Sequence, residues 1–251
     1  SRQSPNGHAS MSAWLVARRN KKEEGIVRET VNLTGMVIRS SPSGEADRRL
    51  VILTRERGKI TAFARGARRP GSTLMAPGRT FAFGTFRLYE GRDAYSLQGA
   101  EISNYFEEIA MDMEAACYGS YFLELADYYG RENLDGTEML KLIYQSLRAL
   151  LKPAIPNVLV RRIYELKSMV INGEYTEWPP RKVSDSAVYA WTYVTVTPVE
   201  SLYRFTLTEE VLKEFSGCVE ENMRRYIDRH FHSLDILNTL SDSGGKMPQK
   251  G

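Results

Sequence analysis

The chain has 251 residues, enough for one large or two modest domains, and its hydrophobic content of 42% is sufficient for a buried core. Its two cysteines, Cys117 and Cys218, lie far apart and exclude both a disulfide framework and a cysteine-rich zinc site, which favours a reduced, intracellular protein. No apolar run reaches the roughly 18 residues that a transmembrane helix needs, so no membrane association is expected.

The net charge of +3 hides a strong asymmetry along the chain. Residues 31–100 hold 12 Arg or Lys against 5 Asp or Glu, and residues 1–30 hold 6 against 3, which leaves a net charge of −7 for residues 101–251. A basic part followed by an acidic part predicts two units with different tasks. The first would attract a polyanion, whereas the second would not.

The first half of the chain predicts a small β-barrel. Residues 1–26 are rich in Ser, Asn, Gly and then in charge, and they predict a disordered head, or in part an extension foreign to the natural protein. About five short strands follow, separated by Gly-containing turns and with no long helix between them: residues 31–40, 48–54, 59–65, 80–90 and 94–103. Over residues 27–104 this pattern favours a closed antiparallel barrel, either an OB-fold or an SH3-like barrel.

A basic stretch over residues 54–70 is the strongest functional feature. Residues 59–65 alternate between small apolar side chains on one face and Lys59, Phe63 and Arg65 among those on the other. Arg68 and Arg69 follow beside a Gly and a Pro. Cations bind phosphates and flat rings stack on unpaired bases, so this composition indicates a single-strand-binding platform. The alternative is a charged edge strand that resists aggregation.

The candidate DNA-contacting residues are the cations in and around this stretch together with one aromatic residue: Arg48, Arg49, Arg57, Lys59, Phe63, Arg65, Arg68, Arg69 and Arg92. Arg55 and Arg79 belong to the wider pool. Tyr89 is a second candidate for base stacking, with packing in the barrel core as the alternative.

The second half of the chain predicts helices. From about residue 105, apolar residues recur at three- and four-residue spacing in four segments and a short final one, up to residue 240. The first segment ends at Gly130, Asn157 is the predicted N-cap of the third, and Thr208 that of the fourth. Residues 188–205, rich in Tyr and Val, predict a short β or extended insert, and residues 241–251 a flexible tail. The expected fold class is therefore α+β, with an OB-fold barrel over residues 27–104 and a mainly helical domain over 105–240.

Candidate catalytic groups do not stand out. There is no GxxxxGK[ST] phosphate loop and no recognisable nucleophile or carboxylate pair, so neither an enzyme nor a cofactor is predicted. The acids of residues 31–100 are too few and too scattered for the metal site of a nuclease. His230 and His232 would need further ligands, so they are interpreted as surface histidines and no metal is predicted.

Several short motifs follow one another in order along the chain: residues 34–39 (TGMVIR), 44–48 (GEADR), 54–60 (TRERGKI), 64–68 (ARGAR) and 88–92 (LYEGR). With residues 226–237 they resemble the RecO recombination mediator family of bacteria, over roughly residues 27–240. One departure is clear, because many family members carry four zinc-finger cysteines after the third helix and residues 171–206 contain none. Either this chain belongs to a branch without the metal, or aromatic packing fills the space: Trp178, Tyr189, Trp191, Tyr193 and Tyr203.

The resemblance implies an N-terminal OB-fold, a helical C-terminal domain, and binding and annealing of DNA, both single- and double-stranded. It also implies work with RecR and single-stranded-DNA-binding protein (SSB) to load the RecA recombinase, in the bacterial cytoplasm at the nucleoid. Arg161, Arg162 and Lys167 on the third helix are candidates for binding the acidic tail of SSB. The alternative function is that of an RNA-binding OB-fold adaptor in translation or RNA processing.

Overall fold

The computed structural model describes residues 29–244, with side chains from residue 29 to residue 239. The expectations for residues 1–26 and for the end of the tail lie outside this part. Five strands come first, and they match the predicted strands closely: β1 (Thr30–Ser43), β2 (Asp47–Thr54), β3 (Gly58–Ala64), β4 (Phe83–Glu90) and β5 (Tyr95–Asn104).

The strands form a closed barrel in the order β1-β2-β3-β5-β4, and β4 returns to β1. All neighbouring pairs are antiparallel except β3 and β5, which are joined by a short parallel seam that pairs Ala62 with Tyr95 and Phe63 with Ser96. Five strands closed in this way make an OB-type barrel, which is one of the two predicted architectures.

Helices make up most of the chain after the barrel. Within the described residues they are α1 (Glu107–Met111), α2 (Met113–Tyr129), α3 (Thr137–Leu150), α4 (Asn157–Ile171), α5 (Asp185–Val196), α6 (Glu209–Tyr226) and α7 (His232–Gly244), with a 3-10 turn at Val199–Ser201. In this part of the chain no helix has both the length and the apolar character needed to cross a bilayer. A β-barrel followed by helices confirms the predicted fold class.

The helix ends follow the local sequence in most cases. Gly130 ends α2, and the hydroxyl of Thr208 caps α6, both as predicted. The predicted N-cap Asn157 is wrong by one residue, because the extended Pro156 (ψ 136°) precedes the helix and Asn157 is already its first residue.

Strand β2 is apolar on both faces because each face has its own cover. Leu50 and Ile52 point into the barrel and belong to its interior core. Val51 and Leu53 point outward and belong to the core that the helices form, together with Met36 of β1. The outer face of the barrel is therefore buried along this part of β1 and β2, and barrel and helices share one apolar interface.

The β2–β3 turn is held against the loop between α2 and α3. The backbone N–H of Lys59 donates to the carbonyl of Arg131 at 3.0 Å, and that of Gly136 donates to the carbonyl of Arg55 at 3.1 Å. Gly58 has a φ of +62°, and a Cβ there would lie 2.2 Å from the Arg131 carbonyl oxygen. The polar sequence of the β2–β3 turn is typical of an exposed hairpin turn, but in the structure this turn is part of the interface with the helices.

The predicted β or extended insert over residues 188–205 is wrong, because these residues form most of α5 and the 3-10 turn. The hydroxyl of Ser184 accepts from the N–H of Ala187 at 3.3 Å and caps α5. Its buried face recurs at helical spacing, with Ala187, Ala190, Trp191 and Val194. Burial of that face outweighs the strand preference of Tyr, Val and Thr.

The aromatic residues of the cysteine-free region divide into two groups. Trp191 is fully buried and donates its indole N–H to a backbone carbonyl, and the buried Tyr203 hydroxyl lies 2.5 Å from Ser146 Oγ. Trp178 and Tyr189 are instead 62% and 73% exposed. Aromatic packing therefore fills this region in part, while two of the five predicted rings stay at the surface.

Gly58→Ala is expected to lower the free energy of unfolding by at least about 3 kcal/mol, because it combines a left-handed backbone with a backbone clash. Gly44→Ala is the matched control, since Gly44 has a φ of +57° but nothing within 4 Å of a Cβ. The control should lose only the roughly 1–2 kcal/mol of the backbone conformation. Urea unfolding measures both, and equal losses would contradict the role given to the turn.

Candidate nucleic-acid interface

A groove of about 670 Å³ opens on the barrel surface where three segments meet. Phe63 comes from the end of β3 and Arg65 directly follows that strand. Tyr89 comes from the end of β4, Arg92 from the β4–β5 connection, and Asp47 from the start of β2. The structure thus brings together two predicted cations and both predicted stacking residues. The aromatic rings supply flat apolar surface, and the arginines lie beside them.

Phe63 is placed by the alternation of β3. Ala62 and Ala64 are fully buried in the barrel, so Phe63 between them faces outward and is half-buried. Arg49 on β2 pairs directly with Phe63 and is exposed. Because directly paired residues share a face of the sheet, Arg49 stands beside the Phe63 ring.

The groove also holds two carboxylates, and both have partners within the barrel. Asp47 accepts a backbone N–H from the turn after β3 at 2.7 Å, and Glu90 lies 2.7 Å from the guanidinium of Arg57. The hydrogen bond with Glu90, and to a lesser extent the one with Tyr95, raises the pKa of Arg57 above its ordinary value. Among residues 29–239, the side chain of Arg65 has neither an ion pair nor a hydrogen bond, so its charge is available to an anionic ligand.

The other cations around the groove are exposed, as Arg65 is. Arg68 donates to the carbonyl of Gly44 at 3.2 Å, which joins the turn after β3 to the β1–β2 connection, and Arg69 is exposed in the same turn. Arg92 is 93% exposed and pairs with Asp93 at 3.3 Å. An ion pair in such a position is weak, so Arg92 can exchange its partner for a phosphate.

Three of the predicted DNA contacts are engaged inside the protein. Lys59 Nζ donates to the Asp127 carboxylate at 3.0 Å and to its carbonyl at 2.7 Å, which links β3 to α2. Arg57 is held by the pair described above, and Arg48 donates to Ser40 Oγ at 3.1 Å in a partly buried position. None of these three side chains lines the groove.

The floor of the groove was not predicted from the sequence. Tyr95 is buried there, with its hydroxyl 2.7 Å from Arg57. Its place depends on the parallel β3–β5 seam, which sets it beside Ala62. A short parallel pairing between distant strands leaves no local pattern, so alternation within β5 could not indicate it.

Arg161, Arg162 and Lys167 do not form an exposed basic rim, since Arg162 and Lys167 are only 6% and 7% exposed. The fully buried Glu165 accepts from Arg161 at 2.8 Å and from Arg162 at 2.9 Å. Lys167 Nζ donates to carbonyls at the end of α5 at 2.7 to 3.2 Å: those of Val194, Thr195 and Thr197. Helix α4 is covered on several sides, and buried charges need partners of this kind.

Glu165 is charged in spite of its burial. Burial by itself raises the pKa of this carboxyl, but Arg162 and Arg161 outweigh it and hold the pKa below its ordinary value of 4.5. Tyr121 donates a third hydrogen bond at 2.8 Å. The cluster is thus a structural ion network within the helical region.

A closed OB-type barrel belongs to the class of oligonucleotide-binding folds, which use the face of strands 2 and 3 and the β1–β2 and β4–β5 connections for ligands. Here the cations and rings lie at the end of β3, on β4 and in the β4–β5 connection, next to the β1–β2 connection. Two family models match the chain. The model of the N-terminal part of Recombination protein O matches residues 28–106, and the model of its C-terminal part matches residues 110–178. The chain therefore belongs to the RecO family, as its motifs predicted.

Curated relatives extend the similarity. The DNA repair protein RecO of Acetivibrio thermocellus is 25% identical over 241 residues, which cover 82% of this chain and 96% of that protein. The DNA repair protein RecO of Alkaliphilus metalliredigens is 33% identical over 143 residues, which cover 57% of this chain and 58% of its own length. That of Clostridium novyi is 30% identical over 138 residues, with 55% and 54% covered.

Phe63→Leu is expected to weaken binding of a single-stranded oligonucleotide by roughly 5- to 150-fold, because a stacked ring contributes about 1–3 kcal/mol. The salt dependence should stay unchanged, since no charge is removed. Fluorescence anisotropy at fixed salt measures the affinity. Phe205→Leu, which changes a half-buried ring in the helical region, is the matched control and should bind as the wild type does.

Glu165→Gln is expected to lower the free energy of unfolding by about 3 kcal/mol at neutral pH, because it removes the buried carboxylate that Arg161 and Arg162 share. Arg162 keeps a second carboxylate partner in Glu220, whereas Arg161 has no second one within the described residues. In the wild type, a carboxyl with a lowered pKa stabilises the fold above its unfolded value of 4.5, and this contribution is lost as the pH falls through the folded pKa. The difference between variant and wild type should therefore shrink in acid.

Urea unfolding over a pH series measures this difference. Glu138→Gln removes an exposed carboxylate that pairs with Lys141 and should leave the stability unchanged. A Glu165→Gln variant as stable as the wild type would show that the network contributes nothing.

Proposed function

We propose that this chain is a DNA-binding mediator of recombinational repair that binds single strands in the barrel groove and promotes annealing of complementary strands. The observation that carries the proposal is the position of Phe63, Tyr89, Arg65 and Arg92 around the two barrel connections that OB-folds use for ligands. Membership of the RecO family and relatives named DNA repair proteins support the repair context.

The mechanism is electrostatic and geometric and requires no chemical step. Arg65, Arg92 and the neighbouring arginines neutralise phosphates of the bound strand, while one or two bases stack on Phe63 and Tyr89. Bases outside the groove remain free to pair. Because the bound phosphates are neutralised, a complementary strand approaches with less repulsion, and the same cations can also contact duplex DNA.

The proposal includes RecR and SSB as partners, with loading of RecA onto SSB-coated DNA as the outcome, in the bacterial cytoplasm at the nucleoid. This part rests on family membership. Because Arg162 and Lys167 are buried with internal partners, an acidic SSB tail would bind other exposed cations.

The test is binding of a fluorescent single-stranded oligonucleotide across a salt series. Each phosphate contact contributes a slope of about 0.7 for single strands, so Arg65→Ala/Arg68→Ala/Arg69→Ala should lower the slope by roughly two units. Arg148→Ala/Lys152→Ala/Lys213→Ala removes the same charge from exposed positions of the helical region and should keep the wild-type slope.

Three results would count against the proposal. Equal slopes for the two triple variants would place DNA contact elsewhere, and no binding by the wild type would assign the basic barrel to another task. Tighter binding of an RNA oligomer of the same sequence would favour the RNA-binding adaptor instead.

A further inference from the structure

Three potential metal ligands come together where the chain enters α7. Nε2 of His230 lies 2.8 Å from Oδ2 of Asp235, and the rings of His230 and His232 have centroids 5.6 Å apart. The ligand atoms of all three side chains lie within 4.8 Å of one another, and all three are exposed. Within residues 29–239 this is the only such group of three.

We propose that His230, His232 and Asp235 bind a divalent transition-metal ion of the zinc type, with water completing its coordination. Two imidazole nitrogens and a carboxylate oxygen are ligands that zinc prefers, whereas the hard ions magnesium and calcium favour oxygen alone. Sequence analysis did not single out a third ligand for the histidine pair, and the structure places Asp235 beside His230.

The spacing of the three side chains fits a metal after a small closure. Bonds of about 2.0–2.2 Å place the ligand atoms of a tetrahedral zinc ion roughly 3.3 Å apart. From a greatest present separation of 4.8 Å, the ligand atoms therefore need to approach by about 1.5 Å, whereas His230 Nε2 and Asp235 Oδ2, now 2.8 Å apart, need to separate slightly. Exposed side chains can rotate this far without disturbing a packed neighbour.

The backbone that carries the ligands is held in place. The carboxylate of Glu124 on α2 accepts the N–H groups of His232 and Ser233, both at 3.1 Å, and so fixes the first turn of α7. Between the two histidines, Phe231 is buried and packs edge-on against Tyr121, with centroids 5.6 Å apart. His230 and His232 thus flank an anchored residue, which reduces the ordering that metal binding requires.

The neighbouring cation Arg229 does not pair with the carboxylate of Asp235. The guanidinium of Arg229 lies over the rings of Tyr128 and Phe231, 6.0 and 5.8 Å from their centroids. Asp235 is paired with His230 instead. A metal ion would replace the proton that joins these two side chains, and it would fasten the segment before α7 to the helix itself.

The test is a titration of the full chain with Co²⁺, after chelator treatment, followed by optical absorbance and confirmed with Zn²⁺ by calorimetry. One equivalent should bind, and Zn²⁺ should raise the melting temperature. Asp235→Asn keeps a hydrogen-bonding partner for His230 but is a poorer ligand, so it should bind at least tenfold more weakly. His232→Ala should do the same, since the cap from Glu124 uses only its backbone.

Two controls match these variants. Asp228→Asn changes a carboxylate close in sequence, and His8→Ala removes the third histidine, outside the described residues; both should bind as the wild type does. Thiolate-to-cobalt charge transfer would assign the ion to Cys117 or Cys218 and overturn the proposal. It would also be overturned if Asp235→Asn and Asp228→Asn bound equally well, or if the wild type bound less than one equivalent.

Discussion

The position of the helices on the outer face of β1 and β2 is the constraint on which the rest of the molecule depends. The side chains of Val51 and Leu53 point away from the barrel interior and pack in the core of the helical region. The helices therefore cover the β2–β3 surface at the end that carries the hairpin turn. The opposite end, where β3 finishes, stays open. The hairpin turn is then fixed by backbone contacts with the α2–α3 loop.

This arrangement divides one basic stretch between two roles. Lys59, at the covered end of β3, is paired with Asp127 on α2, whereas Arg65, beyond the open end, has no partner among the described residues. Six residues of extended chain, about 20 Å, separate the two side chains. Charge density along the sequence alone therefore overstates the number of cations that a ligand can meet, because some of them join the barrel to the helices.

The sequence predicted the barrel because strands with one buried face alternate, and the same alternation assigned Phe63 and Arg65 to the outer face. It did not reveal Tyr95, whose place depends on pairing with a distant strand. It misassigned α5, where strand-forming residues are overruled by a buried face beginning at Ala187. The apolar stripe of α4 indicated a helix but not that its other sides are covered, which is why the internal pairing of Arg162 was missed.

The parallel seam between β3 and β5 consists of two residue pairs, Ala62 with Tyr95 and Phe63 with Ser96, while the other strand pairs are longer. Local opening begins where few contacts hold the backbone, so this seam is expected to open before the longer strand pairs do. Three of its four residues also line the groove. A strand of nucleic acid bound across these residues would therefore hold β3 and β5 together. Binding would then slow the hydrogen exchange of the backbone amides along both strands.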